Sequence, residues 1–117
     1  MAGDPMAAAR PIVEARSGGV CELCGVRRAE SMHHRKLRRH DDHRAANLVH
    51  LCGSGTTGCH GWVHANPAAA YGLGFMVRGA FNPRTARVML AAHGWVRLLD
   101  SGDVVPVGWG EKEEEQA

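Results

Sequence analysis

The sequence predicts a small α+β fold that closes with a short antiparallel β meander. Its 117 residues are one domain's worth on the usual scale of roughly 100–200 residues per domain. Short apolar runs separated by Gly, Pro and Asn turn signals fill the second half. All four cysteines and seven of the eight histidines fall between Cys21 and His64. Hydrophobic residues make up 44%, yet only six residues are aromatic and fifteen are glycine. The apolar core is therefore modest, and a further means of holding the fold is expected.

Residues 1–10 are small and featureless and read as a flexible N-terminus. Pro11 to Arg16 fits a short helix, with Pro11 near its start and Gly18-Gly19 to end it. Val20 to Gly25 forms a C-x-x-C knuckle, and the stretch through Met32 has the length of a tight turn and a short strand leading into His33-His34. Arg35 to Ala46 is charge-dense and without periodicity, which reads as a loop. Leu48 to Leu51 is a short strand, followed by the glycine-rich loop Gly53 to Gly58. From Cys59 the pattern is helical through about Asn66. Asn66-Pro67 fits an N-cap followed by Pro at the first helical position, for a second helix over Ala68 to Tyr71 that ends at Gly72 or Gly74. Phe75 to Val77, Arg87 to Ala91, Trp95 to Leu99 and Val104 to Val107 read as strands, with turn signals at Asn82-Pro83, His93-Gly94 and Ser101-Gly102-Asp103. The chain thus divides into residues 1–10, a metal-binding core over 11–74, a meander over 75–108 packed on that core, and a disordered acidic tail over 109–117. It has no internal repeat, phosphate-binding glycine motif or G-x-S-x-G elbow.

No signal-peptide-like or membrane-spanning apolar run is present, so a soluble, cytoplasmic protein with no membrane partner is expected. In a reducing cytosol four cysteines point to metal or redox chemistry rather than to structural disulfides. Net charge is +2, but Arg27 to Arg44 holds seven basic against three acidic residues. That basic stretch points to a phosphate-bearing partner. Glu111 to Glu115, with four Glu and one Lys, reads as a solvated tail.

Cys21-x2-Cys24 and Cys52-x6-Cys59 supply four thiolates, enough to close one tetrahedral zinc site. The x6 gap is longer than usual, but its glycines, serine and threonines form a flexible bulge able to return Cys59 to Cys52. Structural zinc contributes on the order of 10–16 kcal/mol in zinc-finger peptides, which offsets a thin core. His33 and His34, adjacent in an extended segment, point in opposite directions, so one can face a metal and the other a water or substrate. His60 and His64, at i and i+4 of a helix, lie on one face, as two nitrogen ligands of one metal do.

In that order, Cys21-x2-Cys24, His33-His34, Asn47-Leu48 and Cys52…Cys59-His60-x3-His64 resemble the HNH endonuclease family, most closely small bacteriophage HNH proteins with a four-cysteine zinc knuckle. The resemblance covers about 45 of the 117 residues and leaves the C-terminal meander out. It implies a ββα-metal core, two short strands and a helix around one divalent ion, so that residues 11–74 hold the knuckle and a nuclease core. It implies His34 as general base, His33 and His60 as metal ligands, and Asn47 as the brace of the loop holding His34. His64 matches a third histidine ligand found in some branches of the family and replaced in others. The Cys52–Cys59 gap departs from the family's shorter spacing as a loop insertion that leaves the ligands on either side in place. The resemblance also implies DNA as substrate, work beside a phage packaging terminase or another packaging protein, and, for a phage-encoded chain, the host cytoplasm.

This chemistry suits the residues. A neutral histidine accepts a proton from water near physiological pH, and a divalent ion stabilises charge on phosphate oxygens. Mg²⁺ or Mn²⁺ is expected as the catalytic ion, with Ni²⁺, Co²⁺ or Zn²⁺ also suited to histidine ligands. Arg35, Lys36, Arg38 and Arg39 follow the base and are placed to hold DNA phosphates, without a base-reading signature. His40, His43, His50 and His93 are assigned no role. The alternative is a non-catalytic, zinc-stabilised DNA-binding accessory protein. It uses the cysteines and the basic loop but leaves His33-His34, Asn47 and His60 without a purpose.

Overall fold

A computed structural model describes residues 3–107; the acidic tail expected over 109–117 lies outside the described residues. Pro11 lies in the first turn of helix α1 (Arg10–Ser17), and left-handed Gly18 ends it, as fixed φ at a helix start and a Cβ-free C-cap favour. Strands β1 (Ser31–His34) and β2 (Leu48–Leu51) pair antiparallel, with His33 opposite Val49 and His34 opposite Leu48. Between them the charged loop contains two short 3₁₀ turns, Arg38–His40 and Ala45–Asn47. Helices α2 (Gly58–Ala65) and α3 (Pro67–Leu73) follow. The meander of β3 (Val88–Leu90), β4 (Gly94–Leu98) and β5 (Val104–Pro106) forms a separate three-stranded antiparallel sheet. The described residues are thus mixed helix and sheet, and none of their helices is long and apolar enough to cross a membrane.

Strand periodicity explains how β2 joins two cores. Val49 and Leu51 enter the main core with Val63, Ala70, Phe75, Val88, Leu90, Val96 and Leu98, whereas Leu48 turns to a smaller cluster with Val13. That cluster also takes Met6 and Ala9, 6% and 5% exposed. The segment before α1, expected to be loose, is therefore packed against it, and Asp4 accepts the Met6 N–H through its carboxylate.

Three further expectations need correction. Phe75 to Val77 form no strand, because their backbone groups are engaged elsewhere. The Phe75 and Met76 N–H groups donate to the Ala70 carbonyl at the end of α3, and the Val77 N–H donates to the Arg35 carbonyl. Asn66 does not cap α3 with its side chain; its amide donates instead to the Trp62 carbonyl, closing α2. Arg35, expected on a DNA-facing surface, is 0% exposed.

The Arg35 guanidinium donates to four main-chain carbonyls: Gly74 at 2.8 Å, Ala46 at 2.9 Å, Pro83 at 2.7 Å and Ala86 at 2.8 Å. Burial, then the charge of Arg16, pushes its pKa down to about 9, so it remains a cation at neutral pH and cannot reach a phosphate. A rigid fork of donors suits this duty better than a flexible ammonium. Arg35→Met would leave four carbonyls without their donor, and removing one partner from a buried charged network typically costs about 3–5 kcal/mol. The expected result is a urea midpoint lowered accordingly, with Arg35→Lys recovering only part of it; an unchanged midpoint would show that the guanidinium does not hold the fold.

Candidate metal centres and the histidine cleft

The sequence brings the cysteines together through two tight returns. In the first, the Gly25 N–H donates to the Cys21 carbonyl at 2.9 Å with Gly25 in the left-handed region. In the second, Gly53 and Gly58 both have positive φ, and a Cβ on Gly58 would lie 2.7 Å from the Cys52 carbonyl oxygen, so the loop can close this tightly only with glycine there. The Cys59 N–H then points at the Cys52 Sγ, 3.3 Å away. All four cysteines are free of disulfides, and their sulfurs lie within 4.8 Å of one another.

Four crowded, half-buried thiols cannot all ionise without a compensating cation. Burial pushes the Cys21 thiol up, and burial and the neighbouring Cys52 do the same to Cys59. At Cys24 burial acts the same way, but hydrogen bonds from the Arg27 and Val26 backbone and from Cys21 and Cys59 outweigh it and bring the thiol down to about 7. A sulfur-only set of four at this spacing fits a structural ion such as zinc.

A second group is drawn from β1 and α2. His33, His60 and His64 each offer a ring nitrogen, again all within 4.8 Å, and each pair of ring centroids is 5.1 Å apart. Hydrogen bonds determine which nitrogens are available. The Phe75 carbonyl can only accept, so His33 donates to it through Nε2–H at 2.9 Å and keeps its lone pair on Nδ1. Ser31 Oγ lies 2.8 Å from the Gly53 carbonyl and 2.7 Å from His60 Nδ1. Its hydroxyl proton therefore goes to Gly53, His60 donates through Nδ1–H, and the His60 lone pair is on Nε2. Such outer partners fix the tautomer of metal-binding histidines. Ser31 was not legible as a site residue, because its role depends on a contact with α2.

Burial, then His60 and His64, holds His33 down to about 3, and burial lowers His60 as well. Neutral imidazoles with free lone pairs are what a borderline divalent cation requires. The three line a cleft of about 350 Å³ shared with His34, Leu37 and Arg38. His33 and His34, expected to face opposite ways, thus both border it; His34 is the last residue of β1, where the strand's strict alternation ends.

His34 is 7% exposed and is held down to about 4 by burial, then by the charge of Arg38. Asn47 is fully buried and ties down the loop that follows. Its side-chain oxygen accepts the Lys36 N–H at 2.8 Å, its amide donates to the Asp42 carbonyl at 2.8 Å and to that of Lys36 at 3.3 Å, and its own carbonyl accepts the Arg35 N–H. Of the basic residues expected to face DNA, Arg38 and Arg39 are exposed, Lys36 is half-buried with Nζ on the Gly79 carbonyl, and Arg35 is internal. A separate cleft of about 240 Å³ between the end of α1 and Leu90 has its charged pair, Arg16 and Glu22, already joined at 2.8 Å. Compared with protein-family models, curated proteins and solved structures, the chain finds no significant match.

Two outcomes follow. Complete removal by a chelator of the metal held by the cysteines is expected to abolish the near-ultraviolet dichroism of the fold; an intact spectrum after metal analysis shows none left would contradict it. Acid should also destabilise the protein. Folded His33 and His34 titrate near 3 and 4 against about 6.5 unfolded, so below about 6.5 the unfolded chain binds more protons. Their stabilising contribution is complete above that pH and is lost as pH falls towards the folded values. The urea midpoint should fall across this window, and a flat profile would contradict it.

Proposed function

We propose that the chain is a metal-dependent HNH endonuclease that hydrolyses phosphodiester bonds of DNA. The observation that carries the reading is the convergence of His33, His60 and His64 in one cleft with His34, neutral and adjacent, beside the exposed Arg38. The order of these residues along the chain is that of the HNH resemblance, and a hairpin followed by a helix carries them. The three imidazoles would hold one divalent ion, with coordination positions left over. The ion, when bound, would supply Lewis-acid stabilisation of phosphate and leaving-group oxygens.

The chain's own groups would do the rest. His34 takes a proton from the water that attacks phosphorus as the bond to the departing sugar oxygen breaks. Asn47 holds the loop beyond His34 and so limits how far the base can wander. Arg38 and Arg39, with Lys36, receive the flanking phosphates, contacts that position DNA without reading its sequence. The four cysteines have a supporting role in this reading: Cys59 and His60 are neighbours at the start of α2, so an ion held by the sulfurs would steady the turn that presents His60. The same resemblance extends the proposal to a phage packaging terminase or another packaging protein as partner.

The test is cleavage of supercoiled plasmid with Mg²⁺, Mn²⁺, Ni²⁺, Co²⁺ or Zn²⁺ titrated into wild-type protein and His34→Ala. General-base catalysis is typically worth about 10²–10⁴-fold, and a loss of that order is expected while the cysteine-bound zinc is retained. Wild-type nicking by His34→Ala would overturn the mechanism. Plasmid binding without cleavage under any of these ions would favour the non-catalytic DNA-binding protein instead.

A further inference from the structure

His43 has no part in the reading above, yet its ring stands against His34. The two rings meet edge to face at 86°, with His43 Nδ1 3.0 Å from His34 Nε2. On its far side, His43 Nε2 is 2.9 Å from the Asp41 carboxylate. Direction follows from what each group can do. A carboxylate accepts, so the His43 proton sits on Nε2. In the neutral imidazole the other nitrogen, Nδ1, carries the lone pair, so it is the acceptor of the facing pair. His34 therefore donates through Nε2–H, and its lone pair is on Nδ1.

The loop that carries His43 is built to stay in place. Asp41 has φ 53°, the one non-glycine residue with positive φ among the described residues, a conformation that Asp tolerates better than most residues. Its N–H closes the 3₁₀ turn on the Arg38 carbonyl. Asp42 next to it is pinned twice, through its carbonyl by Asn47 and through its carboxylate by Arg84 at 2.8 Å. The arrangement is serial, Asp41 to His43 to His34, so it passes orientation along a line, unlike the two clusters whose donor atoms converge.

Building on His34 as the general base, we infer that His43, backed by Asp41, is a positioning residue that fixes the tautomer of His34 and leaves Nδ1 as the nitrogen that takes the proton from water. When that proton arrives, His34 becomes a cation whose Nε2–H still has an acceptor in His43. The Asp41 side chain is 91% exposed against 18% for His43, so His43 carries most of the effect, and Asp41→Asn, which keeps an acceptor oxygen, should change little.

Two variants separate positioning from bulk structure. In His43→Asn the side-chain oxygen lies near the place of Nδ1 and can still accept from His34; His43→Leu cannot accept. Outer partners of this kind are typically worth about 10–100-fold. We expect His43→Leu to lose plasmid-nicking kcat by about that factor with KM for DNA little changed, and His43→Asn to stay within about 3-fold of wild type. Long-range ¹H–¹⁵N spectra of the zinc-loaded wild type should show His34 protonated at Nε2, and His43→Leu should show a tautomer mixture. Wild-type kcat in His43→Leu, or His34 protonated at Nδ1 in the wild type, would overturn the inference. If the wild type nicks no DNA, the nuclease reading fails, and the tautomer spectra alone then support or overturn the positioning role.

Discussion

The geometry of this small protein depends on the burial of one cation. Taking Arg35 out of water is costly, and the fold recovers the cost only by aiming four carbonyls from distant parts of the chain at one guanidinium. The consequence is local and specific. His34 precedes Arg35, Asn47 follows the acceptor Ala46, and Phe75, whose carbonyl orients His33, follows the acceptor Gly74. Three members of the histidine site therefore sit one residue away from an atom of the Arg35 network.

The two convergent clusters share that economy. β2 ends at Leu51 and delivers Cys52, the glycine-bounded bulge returns the chain, and α2 opens with Cys59 and His60 side by side. One residue serves the sulfur cluster and the next serves the imidazole cluster. Ser31 links them from the other strand, since its hydroxyl holds both the Gly53 carbonyl at the bulge and the His60 ring. The two clusters are thus joined through the Cys59–His60 peptide bond and through Ser31. In the proposed nuclease this is how a structural ion would serve a catalytic one without touching it.

Much of this was legible in the sequence, for identifiable reasons. β2, α2, the cysteine set and the His60/His64 pair rest on short-range spacing and residue identity, whereas the choice of His33 over His34 as the third nitrogen came from the HNH resemblance. What was not legible depends on long-range packing. Arg35 reads as one more basic loop residue until partners 39, 48 and 51 positions away turn it inward. Phe75 to Val77 have strand-like side chains, but α3's cap and the Arg35 loop claim their backbone groups first. Met6 and Ala9 stand in a run of mostly small residues, in which large apolar side chains are too sparse to announce a buried face. His43 lies in a run without periodicity, and only the turn set by Asp41 carries it to His34.

The claim on which this account rests is that one short chain builds two separate metal centres, one of sulfur and one of imidazole. Cobalt titration followed by visible absorption tests it directly, because thiolate ligation produces intense charge-transfer bands and imidazole ligation only weaker d–d bands. Two equivalents are expected to bind the wild type and one His33→Ala, with the thiolate bands unchanged. A single equivalent in the wild type, or loss of the thiolate bands in His33→Ala with the fold intact, would contradict it.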